Sequence, residues 1–207
     1  MINLDIKYSF DYEKERIKST LDKADWFIKN GYSKWIKLPE GKKLDEIEIN
    51  TSTEDYLLNK VEEEYNEQDY IKTKNIINEQ WFKFAPKLEK YFKETSLKQE
   101  DVYIIQLTKY GVGGSYNLPN KVILNFQNKL ELALFKIPVH EIVHLSIQSF
   151  VEKYNVDHWV KERIVDLILE KITPELNIMQ KLSIDTKPID ESFEKHYPNI
   201  EDIIKNI

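Results

Sequence analysis

The run His140-Glu141-Ile142-Val143-His144 limits what this chain can fold into more than any other feature. Residues four apart share one face of an α-helix, ~6 Å apart along its axis, so on a helix both imidazoles point to one place. Two imidazoles at that spacing suit a single tetrahedral zinc ion. Glu141, ~100° further round the helix, can reach a water on the metal. The competing reading is a buried helix with two hydrogen-bonded core histidines. The chain has no cysteine and only four histidines. Disulfide scaffolds, thiolate metal sites, Fe–S clusters and cysteine nucleophiles are therefore excluded. Any transition-metal site must be built from His, Asp and Glu, and a catalytic zinc needs a third protein ligand.

A third ligand is available downstream. A helix is predicted over about 157–172, and it carries Glu162-Arg163-Ile164-Val165-Asp166. Glu162 and Asp166 share a helix face with Trp159, Val165 and Leu169 within ~60° of Glu162. Carboxylates among such residues do not form a solvent stripe, and burying them unpaired would be costly. Glu162 could ligate a metal, and Asp166 could accept the other N–H of a ligand histidine. A metzincin would need Gly at position 147 and His at position 150; the chain has Ile147 and Phe150.

H-E-x-x-H followed by E-x-x-x-D on the next helix resembles the gluzincins, the thermolysin-like zinc metallopeptidases. The resemblance covers residues 101–170, with 17 residues between His144 and Glu162. It implies one Zn2+ per chain held by His140, His144 and Glu162, with Glu141 as general base and Asp166 behind a ligand histidine. It implies hydrolysis of a peptide or protein substrate by a zinc-activated water, on a zincin-like region whose sheet edge borders the cleft. Leu118–Phe126 or Val102–Tyr110 could supply that edge. The Gly-containing strand pair before the motif is also similar to the ImmA/IrrE-type regulatory peptidases of bacteria, although their Ala-Asn and Phe-Ala pattern after the acid is absent. The resembling enzymes stabilise the oxyanion with a Tyr or His, for which His158, Tyr154, His196 and Tyr197 are the candidates. His158 stands four residues before Glu162; otherwise it is a helix-start histidine bonded locally. His196 follows the third-ligand helix; otherwise it lies in a surface loop. Arg163 points ~100° away from Glu162 and reads as an ion pair or surface charge.

The rest of the chain supports an α+β class, mostly helical, with a small mixed or antiparallel sheet. Residues 1–98 read as a mainly helical N-terminal region and 99–207 as the zincin-like catalytic region. Helices are predicted over 10–30, with a stop at Asn30-Gly31, and from a capping box at Thr51–Glu54 to about 78. A short strand is expected at Ile47–Ile49, and Pro86 should kink or restart a helix. Asp101–Tyr110 and Lys121–Phe126 read as paired strands joined by a turn-rich segment holding three of the five glycines. Helix resumes at Leu130, and Pro138 should begin or kink one. Thr173-Pro174 should open another, with short helices over 187–207. The net charge of -6 argues against a nucleic-acid partner. No stretch approaches the ~18 apolar residues of a membrane span, and the N-terminus lacks an apolar leader, so cytoplasm is the expected compartment. The alternative to an enzyme is a catalytically inactive zincin-like or helical protein-interaction domain.

Overall fold

The computed structural model describes residues 2–176, 180 and 182–207. The fold is α+β and mostly helical around a four-stranded mixed sheet. The chain opens with β1 (Asn3–Lys7), then α1 (Phe10–Asp22) and α2 (Ala24–Lys29). After three short 3-10 turns come α3 (Thr51–Glu64), α4 (Glu67–Gln80) and α5 (Ala85–Thr95). The strands β2 (Val102–Thr108), β3 (Gly114–Asn117) and β4 (Lys121–Asn125) follow, then α6 (Ala133–Lys153), α7 (His158–Ile172), α8 (Lys187–His196) and α9 (Ile200–Lys205).

The strand order is β1-β2-β4-β3. β1 and β4 flank β2 in parallel register, and β3 pairs β4 as an antiparallel hairpin. Lys121–Phe126 therefore pairs with Asp101–Tyr110 as expected, but the sequence reading missed both edges. No element is predicted over β1. β3, four residues of Gly-Ser-Tyr-Asn, was read as turn because a Gly-rich run carries no strand signal. The edge expected from Leu118–Phe126 or Val102–Tyr110 is corrected accordingly: those strands are central, and the edges are β1 and β3.

Alternation along the central strands sends Tyr103, Ile105, Leu107, Val122 and Leu124 into the main core, against α6 and its neighbours. The opposite face, with buried Gln106 and Thr108, lies towards α1. The main core also takes Ile2, Ile6, Tyr70, Ile77, Leu88 and Tyr91 from the first hundred residues. A second core joins Ile17, Leu21 and Phe27 to Leu38, Leu44, Leu57, Val61 and Tyr110.

Several helix limits depart from the sequence reading. The helix over 10–30 breaks at Lys23 (φ -102, ψ 11) into α1 and α2, though Asn30-Gly31 does end it, with Gly31 at φ 73. Residues 47–49 form no strand. The third helix is capped by the Asn50 side chain accepting from the Thr53 N–H, so Thr51 is inside the helix rather than its cap. An extended Tyr65 and an Asn66 cap divide that helix from α4. Pro86 opens α5, a restart. Pro138 lies within α6 instead of beginning a helix. Pro174–Leu176 form a turn, and the rest of the helix expected there falls partly outside the described residues. No helix among the described residues is long and apolar enough to cross a membrane.

Candidate metal centre

α6 is buried almost all round, from Leu134 to Val151, which is why its sequence reads as apolar without a clear stripe. One face of it turns His140 and His144 towards α7, where Glu162 and Asp166 are also buried. α7 starts where the Asp157 side chain accepts from the Trp159 N–H, and this start sets the height of Glu162 against the two histidines.

The Nε2 atoms of His140 and His144 lie 2.9 Å apart. His140 Nε2 is 3.4 Å from Glu162 Oε2, and His144 Nε2 is 3.4 Å from Glu162 Oε1. One donor atom from each residue falls within 4.8 Å of the other two. A tetrahedral ion with bonds of ~2.0–2.2 Å sets its ligand atoms ~3.3–3.6 Å apart. Each imidazole nitrogen stands at that separation from one oxygen of Glu162, His140 from Oε2 and His144 from Oε1, and the imidazole pair lies slightly inside it. The cluster could hold a divalent metal, and two imidazoles with one carboxylate suit zinc.

The electrostatics fit a cation. Burial pushes the Glu162 carboxyl up, but hydrogen bonding and charge from His140 and His144 outweigh it and hold the group well below the carboxylate range. Burial and the charge of His140 push His144 down to about 4, leaving it neutral as a ligand must be. Burial opposes protonation of His140 too, but Glu162 and Glu141 raise it overall. Asp166 lies near enough for its charge to favour protonated His140, and its Oδ2 accepts the Gln180 N–H at 2.8 Å.

Glu141 is buried beside the cluster, and burial raises it to about 7. Its carboxylate lies against the backbone of β3. A Cβ on Gly114 would overlap both Glu141 Oε1 and Ile137 Cγ2, so only glycine lets the strand come this close. Two residues on, the Tyr116 ring stacks on His144. A cleft of about 1340 Å³ opens here, lined by Gly113 and the edge strand Gly114–Asn117 together with His140, Glu141, His144 and Glu162.

Of the four oxyanion candidates, only His158 lines this cleft. Its Nδ1 is 3.9 Å from Glu162 Oε1 and its Nε2 is 2.7 Å from the Tyr32 hydroxyl, so its partner is not local. His196 is the last residue of α8 and is not among the residues that line the cleft. Tyr154 donates instead to Glu201, and Tyr197 packs on Phe193. Arg163 makes a two-pronged ion pair with Asp190, as its position predicts.

Sequence reasoning missed Tyr32, Tyr116, Lys161 and Arg16, all in the cleft wall. Lys161 Nζ sits 3.5 Å from Glu162 Oε1 and 3.4 Å from the Tyr116 hydroxyl. Tyr32 and Arg16 arrive from distant parts of the chain, and no local pattern marks them. The chain matches no family model, curated protein or solved structure with which it was compared.

Proposed function

We propose that this chain is a zinc-dependent metallopeptidase of gluzincin type, with His140, His144 and Glu162 holding one Zn2+. The observation that carries the reading is the convergence of these three donors beside a buried carboxylate and an unpaired sheet edge. Zinc in such a site polarises the scissile carbonyl and acidifies water towards ~7. Glu141, buried beside the cluster, is placed to take the proton from water and deliver it to the departing amine. The free edge of β3 offers main-chain hydrogen bonds to an extended peptide running past Glu141. Asp166 steadies His140 from behind. His158, oriented by Tyr32, is the donor best placed to meet the developing oxyanion.

A closed structural site would need a fourth protein ligand. Among the described residues no fourth donor joins the cluster, and the Nε2 of neighbouring His158 is engaged by Tyr32. This supports an open, catalytic position over an inactive binding domain. Residues 99–207 carry the proposed machinery, while Arg16, Trp26 and Tyr32 from the N-terminal region wall the cleft.

The test is Glu141→Gln. The variant should keep its zinc and lose at least about a hundredfold in hydrolysis of a peptide library. Hydrolysis at the wild-type rate would remove Glu141 from the role.

A further inference from the structure

Arg16 is a buried cation in the wall of the cleft. Its Nε donates to Tyr110 O (3.4 Å), Nη1 to Ser115 Oγ (3.1 Å) and Nη2 to Val112 O (3.3 Å). All three acceptors are neutral. Among the described residues no carboxylate pairs with it; Glu141 and Glu13 act on it only through space. A guanidinium has five N–H donors, so one remains on each terminal nitrogen. Burying a charge without a partner is costly, and the fold still builds closely around this one. Gly111, at φ 79, packs so tightly on the guanidinium that a Cβ there would overlap it. A residue anchored this firmly, with donors left over, is preorganised for an anion.

Its position relates it to the reaction centre. Ser115, which Arg16 holds, is the neighbour of Gly114, and Gly114 lies against Glu141. A second polar group shares the wall: Gln106, in the middle of β2, is buried, and its Oε1 has no hydrogen-bond partner among the described residues. The charge around them is opposite to that of the chain. The cleft is lined by Arg16 and six lysines, against Glu15, Asp22 and Asp25 once Glu141 and Glu162 are set aside, whereas the whole chain carries -6. A cleft of one sign draws in ligands of the other.

We infer that the cleft takes an acidic peptide, and that Arg16 receives one of its carboxylates beside the bond to be cut. The carboxylate is either the peptide's C-terminus or an Asp or Glu side chain. This rests on the peptidase reading and adds the substrate class. Arg16 pairs with a carboxylate through two parallel bonds, a geometry lysine cannot copy. The sheet edge and the carboxylate base favour a peptide over a nucleic acid as the occupant.

The experiment measures binding separately from hydrolysis. Zinc-loaded Glu141→Gln protein is titrated into three fluorescent peptides: one Glu-rich, one with each Glu replaced by Gln, and the Glu-rich one with an amidated C-terminus. The Glu-rich peptide should bind at least about tenfold tighter than the Gln version, with the gap narrowing at high salt. The amidated arm tells a terminal carboxylate from a side chain. Adding Arg16→Gln should shrink the preference to about threefold or less. Because Arg16 also ties down the β2–β3 connection, a second variant is needed. Lys121→Gln with Lys129→Gln removes two lining charges and should weaken the preference about threefold.

Equal binding of the Glu and Gln peptides, or no binding of either, would overturn the inference. So would a single-stranded oligonucleotide that binds the cleft in place of the peptides. Charge-blind cleavage by the wild type would overturn the acidic preference and leave the peptidase reading standing. Preferential binding of the acidic peptide with no cleavage of any peptide would do the reverse.

Discussion

The Tyr116 ring lies face to face with His144, the centroids 5.1 Å apart and the planes 12° from parallel. Tyr116 is fixed at its other end, where its hydroxyl donates to Gln148 Oε1 at 2.7 Å. The edge strand therefore fixes the ring of a proposed ligand from outside the three-residue cluster. Tyr116→Ala should weaken zinc binding about 10–100-fold, the range for losing a partner that orients a ligand. Tyr116→Phe, which keeps the stack, should lose much less. Competition with a chromophoric chelator measures both, and unchanged affinity in the alanine variant would show that the stack does not steer His144.

Gly114 makes a sharper demand. Any side chain there displaces the Glu141 carboxylate or Ile137. Gly114→Ala should keep its fold and its zinc while losing about a hundredfold in kcat, because a catalytic group moved by ~1 Å has that cost. Circular dichroism, elemental analysis and steady-state kinetics read the three separately. Near-normal kcat would mean that the strand yields instead of the base.

Glu13 gives a pH dependence outside the His140/His144/Glu162 cluster. It is fully buried, and burial raises it to about 7 although Tyr70 and the Lys109 N–H both donate to its Oε1. Below the unfolded value, near 4.5, the group is protonated in both states. Between there and about 7 only the folded state holds the proton, so stability falls as pH rises through that window. Above about 7 the full cost is present, roughly 3 kcal/mol at 1.4 kcal/mol per pH unit. Glu13→Gln should be more stable than the wild type at pH 8 and should lose most of the decline between pH 5 and 7. Urea melts across that range check it, and parallel curves would place the pH dependence elsewhere.

The division at residue 98 follows composition, and residues on both sides of it share one core. β1 pairs with β2 over its whole length, and the Trp81 indole N–H donates to Ile2 O. Residues 99–207 made alone would expose one edge of β2 and the faces that bury Tyr70, Ile77, Leu88 and Tyr91. That fragment should lack a cooperative thermal transition, whereas the full chain should melt as a unit. A cooperative melt of the fragment would establish an independent catalytic region.

The residues proposed as ligands were legible because their pattern is local. His140 and His144 lie one turn apart, and the apolar neighbours of Glu162 and Asp166 mark those carboxylates as buried. The strands β2 and β4 were legible from β-branched runs. What stayed hidden depends on tertiary contact. β3 is short and glycine-rich, and its value lies in how near Gly114 comes to Glu141. Tyr32 reaches His158 across 126 residues, and Arg16 reaches Ser115 across 99. His196 looked suitable only by its order in the chain; α8 carries it outside the cleft lining. The break at Lys23 and the cap at Asn50 are differences of a few residues that propensity does not resolve.

One zinc site formed by His140, His144 and Glu162 underlies every functional role proposed for this chain. Elemental analysis of chain purified without chelator or a histidine tag tests it directly, with His144→Ala and Glu162→Ala alongside. About one zinc per chain is predicted in the wild type. It should be lost in His144→Ala and weakly held in Glu162→Ala. A wild type that carries no zinc and takes up none at micromolar metal would contradict the account, leaving H-E-x-x-H as a pair of histidines in a buried helix.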